Sequence, residues 1–147
     1  LETLPRELVD VEKEFKEYLS VIPESKIAME VGVSAMHDVT EGGVFGALWE
    51  LGEASGVGIT AHLDKIPIKQ ETIEVCEVFK INPYMLISSG SMMIGCEKGN
   101  LLVEKLEEAG INAAVIGRAT EGNDRIVVSR DETRYIGPAG SDELYKI

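Results

Sequence analysis

Apolar positions along the chain follow two periods. Leu4, Leu8, Val11, Phe15, Tyr18 and Ile22 recur at spacings of three and four, which is one face of an amphipathic helix with Glu and Lys opposite. Pro5 suits the first turn of that helix, and Pro23 ends it or opens the next turn. The N-terminal helix, residues 1–24, is expected to lead into a domain over residues 25–147. A short helix is expected over 25–31, stopped by Gly32, and then a strand over 33–36 that runs into His37-Asp38. Thr40-Glu41-Gly42-Gly43 comes next, followed by a helix to about Ala54, with Thr40 as its N-cap and Glu41 as a first-turn charge. Its apolar residues Val44, Phe45, Ala47, Leu48, Trp49 and Leu51 cover more than half the circumference, so it is expected to be mostly buried.

Strict alternation takes over at 57–63, where Val57, Ile59, Ala61 and Leu63 interleave with Gly58, Thr60 and His62, a strand pattern. A helix over 68–80 is broken at Asn82-Pro83. Strand pieces follow at 85–87 and 92–96, then a helix over 100–109 closed by Gly110, and strands at 111–116, 125–128 and 134–136. Strand hairpins mixed with crossover helices predict an α+β fold, helices packed on a mixed, mostly antiparallel sheet.

Composition narrows the function classes. The 147 residues are 44% hydrophobic and 27% charged, enough for one domain with a real core. Twenty-six acidic residues against 14 basic ones leave a net charge of −12. That balance argues against a nucleic-acid face, which needs clustered Lys and Arg, and against docking on anionic lipid. No apolar run approaches the ~20 residues of a membrane span. Cys76 and Cys96 have neither zinc-site nor disulfide-framework spacing, and read as buried reduced thiols of a cytoplasmic protein. The chain opens at Leu1 rather than Met, so it is expected to be a fragment of something longer.

Two segments could carry chemistry. In His37-Asp38-Val39-Thr40-Glu41-Gly42-Gly43 a strand delivers an acid to the mouth of a helix. Unpaired N–H groups and the positive dipole end favour an anion there, and the glycines remove side chains that would hold it off. Asp38 or Glu41 could hold a metal that bridges phosphate oxygens. The bland alternative is a Thr40 cap with Gly42 and Gly43 allowing close helix–sheet packing. The second segment, Ser88-Ser89-Gly90-Ser91, is a polar bend facing a ligand, or else a tight hairpin turn. Neither a Walker-type loop nor a G-x-S-x-G elbow is present.

The run from Ala35 to Val44 resembles the M-x-D-P-T-x-G-G-L segment of the C-terminal domain of AIR-synthase-related proteins. The similarity continues in order through Glu53-Ala54-Ser55-Gly56-Val57-Gly58-Ile59, Ile66-Pro67-Ile68, Cys76-Glu77 and Asn82-Pro83. It ends with Leu86-Ile87-Ser88-Ser89-Gly90-Ser91-Met92-Met93 and Val115-Ile116-Gly117, covering roughly residues 25–128. Within the family it runs strongest toward members like the hydrogenase maturation protein HypE. It departs at Ser88-Ser89-Gly90, where HypE has Asn-Glu-Gly, and in a tail without cysteine.

The resemblance implies a fold like the C-terminal domain of aminoimidazole ribonucleotide synthetase, partly ferredoxin-like. It implies one half of an ATP-dependent, Mg²⁺-using homodimeric enzyme that activates an acceptor oxygen by phosphorylation. The N-terminal ATP-binding domain of such an enzyme is not in this chain, so the chain alone is expected to be inactive. The acceptor would be a small molecule or borne on a protein. By carry-over, Asp38, Thr40, Glu41, Gly42 and Gly43 would lie at the ATP phosphates, with Asp38 toward the metal, and Ser88, Ser89, Gly90 and Ser91 would line the substrate cleft. The alternatives are a regulatory domain that binds a nucleotide or anion without turnover, and a structural domain that docks a partner.

Overall fold

The structure, a computed structural model, describes residues 21–88 and 90–138. The amphipathic repeat from Leu4 to Tyr18 lies outside these residues, as do Ser89 and the tail from 139 on. Helix α1 spans Ile22–Val31, with Pro23 in its first turn, and ends where the Gly32 N–H donates to the Ala28 carbonyl. Strand β1, Ala35–Asp38, leads to α2, Gly43–Ser55, and then to β2, Gly58–His62. A 3-10 turn at Leu63–Lys65, helix α3, Gln70–Phe79, a second 3-10 turn at Pro83–Met85, strand β3, Met92–Gly95, and helix α4, Gly99–Glu108, follow. Strands β4, Gly117–Thr120, β5, Arg125–Ser129, and β6, Glu132–Tyr135, complete the described chain. No helix among the described residues is long and apolar enough to cross a membrane.

The α+β expectation holds, with the strands divided between two sheets. β1 and β3 form an antiparallel pair, and β4-β2-β5-β6 form a mixed sheet whose one parallel contact is β2 with β5. Helix α2 packs on both sheets, with Met93 of β3 on the same cluster as its contacts to the four-stranded sheet. Phe45 and Leu48 of α2 bury against Ile59, Ala61 and Val127 of the four-stranded sheet. Ala28 of α1 buries against Leu102 and Leu106 of α4, with Ile94 of β3 and Cys96 packed on them. Burial of one such Leu side chain contributes about 1.5–3 kcal/mol. Cys76 is fully buried and Cys96 half-buried, and neither is in a disulfide among the described residues.

Two expected strands are absent. Residues 85–87 are not a strand, because Asn82 Oδ1 accepts the Tyr84 N–H at 2.9 Å and folds the chain into the second 3-10 turn. Residues 111–116 form no ladder either: Ile111 and Ala113 alternate inward because they cover the α1–α4 cluster. The β2–β4 register runs from Gly117, opposite Ala61, where a Cβ would run into the Thr60 carbonyl, and the His62 N–H extends it by one bond to the Ile116 carbonyl at 2.7 Å. Trp49, expected in the core, is half-buried with the buried Arg125 guanidinium 5.9 Å from its ring centre. Arg125 Nη1 donates to Glu53 Oε2 at 2.9 Å.

Helix α3 ends on Lys80, a non-glycine residue at φ 54° whose N–H caps the Cys76 and Glu77 carbonyls. An L side chain pays about 1–2 kcal/mol for that conformation, part of which glycine loses again in unfolded-state entropy. Lys80→Gly is therefore expected to stabilise the fold by about 0.5–1 kcal/mol, measured by denaturant unfolding. A loss of stability would show that the lysine side chain contributes more than its backbone strain costs.

Candidate functional site

The two polar segments meet at one end of the β1–β3 ladder. Asp38 pairs with Met92 in the antiparallel register, and one residue further the Val39 N–H donates to the Ser91 carbonyl at 2.9 Å. Residues 38–43 and 90–91, far apart in sequence, thus adjoin. Asp38, Thr40, Glu41 and Ser91 are exposed; Ser88 and Gly90 are half-buried. Within its loop, Ser88 Oγ donates to the Leu86 carbonyl at 2.8 Å and the Ser91 N–H donates to the Ser88 carbonyl at 3.1 Å. Ser89 lies outside the described residues.

The helix mouth differs from the expectation in one respect. Thr40 is not the N-cap. Gly42 holds that position in the left-handed region, φ 81°, and no side chain caps the helix. The Thr40 carbonyl instead accepts the Gly43 N–H at 3.1 Å, closing a turn. The turn needs positive φ at Gly42 and again at Gly43, φ 63°, and two successive glycines supply it. Gly43 also meets a wall. A Cβ there would stand 2.6 Å from the carbonyl oxygens of both Tyr84 and Leu86. The ring of Tyr84 stacks on Phe45 at 5.5 Å, fixing that wall against α2. What Gly43 admits in this chain is backbone from residues 84–86, so Gly42 and Gly43 are buried and the surface of the mouth belongs to Asp38, Thr40 and Glu41.

Helix geometry leaves the N–H groups of Val44 and Phe45 without partners inside α2, since the Gly46 N–H is the first to bond back, to the Gly42 carbonyl at 3.0 Å. The Asp38 carboxylate has no partner among the described residues. Neither 35–44 nor 84–92 contains a Lys or Arg. The available chemistry is therefore hard oxygen donors beside a helix N-terminus. Among the described residues no three acidic, His or Cys side chains cluster as a metal cage. One or two carboxylates at a phosphate site suit Mg²⁺, which keeps waters and takes phosphate oxygens rather than an all-protein shell.

One pair escaped the sequence reading. His37 Nδ1 donates to the Asp38 carbonyl at 2.6 Å, and its Nε2 lies 2.7 Å from Glu50 Oε2 on α2. Glu50 stands seven residues, about two turns, after Gly43, and that phase was the only available signal.

The family model for the AIR synthase related protein, C-terminal domain, matches residues 1–129. A putative hydrogenase expression/formation protein of Methanocaldococcus jannaschii is 34% identical over 134 residues, 85% of this chain and 39% of that protein. The crystal structure of Escherichia coli HypE shares 23% identity at a TM-score of 0.75, covering 86% of this chain and 41% of that one. A structure of hydrogenase maturation protein HypE in complex with ATP shares 18% identity at a TM-score of 0.71, covering 83% of this chain and 40% of that one. The two structural likenesses carry the fold. The chain spans about two-fifths of the length of these relatives.

Proposed function

We propose, from the premise that this chain belongs to the AIR synthase related protein C-terminal domain family, that it forms one wall of an ATP-dependent site, as in the HypE-like members. In this reading Asp38, Thr40 and Glu41 face the ATP phosphates with the free N–H groups of α2 behind them. Ser88, Gly90 and Ser91 line the adjoining cleft for an acceptor whose oxygen is phosphorylated. The observation that supports it best is the Val39–Ser91 hydrogen bond beside the Asp38–Met92 pair, which makes one surface of two separate motifs. A relative solved with ATP supports the choice of nucleotide.

Asp38 would hold Mg²⁺, with Glu41 as the second carboxylate in reach. The ion would supply positive charge against the phosphates, which the segments 35–44 and 84–92, lacking Lys and Arg, do not. The rest of the counter-charge would come from an ATP-binding domain of the same protein, paired as a homodimer. The acceptor would be a small molecule or a group on a partner protein. Two cysteines outside any disulfide among the described residues suit a cytoplasmic setting.

Amide hydrogen exchange on the protein that carries this chain tests the reading. Mg-ATP is expected to slow exchange in residues 38–46 and 88–93 together, by tenfold or more, and ATP with a chelator to do so far less. Protection of the first segment alone would reduce the serine loop to a structural turn. Protection of neither would remove the nucleotide from this face.

A further inference from the structure

We propose that His37 and Glu50 form a positioning pair that sets where Asp38 stands, an inference that rests on the nucleotide reading above. The Asp38 carboxylate has no partner of its own among the described residues, so its location is decided by its backbone. Three contacts hold that backbone: the pairing with Met92, the Val39–Ser91 hydrogen bond, and the His37 ring on the Asp38 carbonyl at 2.6 Å. The first two tie Asp38 to β3 and the serine loop. The third reaches α2 directly, because the same ring meets Glu50 Oε2 at 2.7 Å.

The ring is thus a strut between the end of β1 and the second turn of the helix whose mouth faces the phosphates. A carbonyl oxygen can only accept, so Nδ1 is the donor on that side. Glu50 is 44% exposed and His37 28%, so the pair adds little to core stability. Its worth is geometric: it fixes the separation of the Asp38 carboxylate from the N–H groups of Val44 and Phe45. An error of about 1 Å in such a separation costs affinity for the phosphates far beyond the energy of the contact itself. His37 and Glu50 touch neither nucleotide nor metal in this account; they act through Asp38.

The test is steady-state ATP turnover by the full protein, with KM for Mg-ATP and kcat read separately. His37→Ala and Glu50→Leu are each expected to raise KM at least fivefold and change kcat less than twofold. The double variant is expected to match the singles, because both break one strut. Glu50→Gln, whose amide still bonds the ring nitrogen, is expected to stay within twofold of the parent. Thermal melts of the four variants should fall close to the parent, which separates positioning from unfolding. Unchanged KM in both single variants, with turnover still lost in Asp38→Ala, would overturn the positioning pair alone. Unchanged turnover in Asp38→Ala as well would overturn the nucleotide reading beneath it. A fivefold KM rise in Glu50→Gln would show that the Glu50 charge, rather than its hydrogen bond, is what matters, and would also overturn the strut.

Discussion

Gly43→Ala is expected to destabilise the fold by about 3 kcal/mol, the largest effect of any single methyl group near the site. Two costs add. Gly43 has φ 63°, which costs an L residue about 1–2 kcal/mol. The new methyl would also stand 2.6 Å from two backbone carbonyl oxygens, those of Tyr84 and Leu86. Backbone on both sides cannot step aside as a flexible side chain would, and overpacking of this kind costs about 1–3 kcal/mol. Gly56→Ala is the internal control. Gly56 closes the same helix at φ 64° with open space where a Cβ would go, so only the conformational cost of about 1–2 kcal/mol is expected. Denaturant unfolding of the two variants separates the terms. Equal losses would mean that residues 84–86 do not pack on the helix mouth, and the wall of the site would go with them.

The elements that read clearly were those whose signal is local. The apolar face of α2, the alternation of β2 and the Gly110 stop after α4 are statements about adjacent residues, and the structure agrees with them. Partnership between strands is not local. Nothing in the alternation of β1 and β3 says that they pair apart from the other four strands, so the division into two sheets was not legible. Residues 111–116 misled because Ile111 and Ala113 point inward onto helices, which leaves the same every-other-residue pattern as a ladder. Residues 85–87 misled because apolar content outweighed the Asn82 turn signal that preceded it.

The candidate site divides in the same way. Asp38 at a strand end before a glycine-opened helix could be found from the residues alone. That the helix begins at Gly43 rather than behind a Thr40 cap could not, since Thr-Glu-Gly-Gly offers both a hydroxyl cap and a left-handed turn, and packing against residues 84–86 selects the second. The His37–Glu50 contact depends on how α2 is rotated against β1, a tertiary fact with no sequence pattern of its own.

The most direct measurement is ATP turnover by the protein that carries this chain, with Asp38 replaced by Ala. Asp38 is exposed and its side chain bonds to nothing among the described residues, so the substitution is expected to change stability by less than about 0.5 kcal/mol. Removing the carboxylate removes the one acidic group that the β1–β3 register fixes beside the serine loop. Loss of a charged group at a phosphoryl-transfer centre costs roughly tenfold or more, about 1.4 kcal/mol of barrier per factor of ten. The expected result is a drop in turnover of at least tenfold in a protein that melts where the parent does. Turnover equal to the parent's would contradict the account and take Asp38, and with it the surface shared by the two loops, out of the nucleotide site.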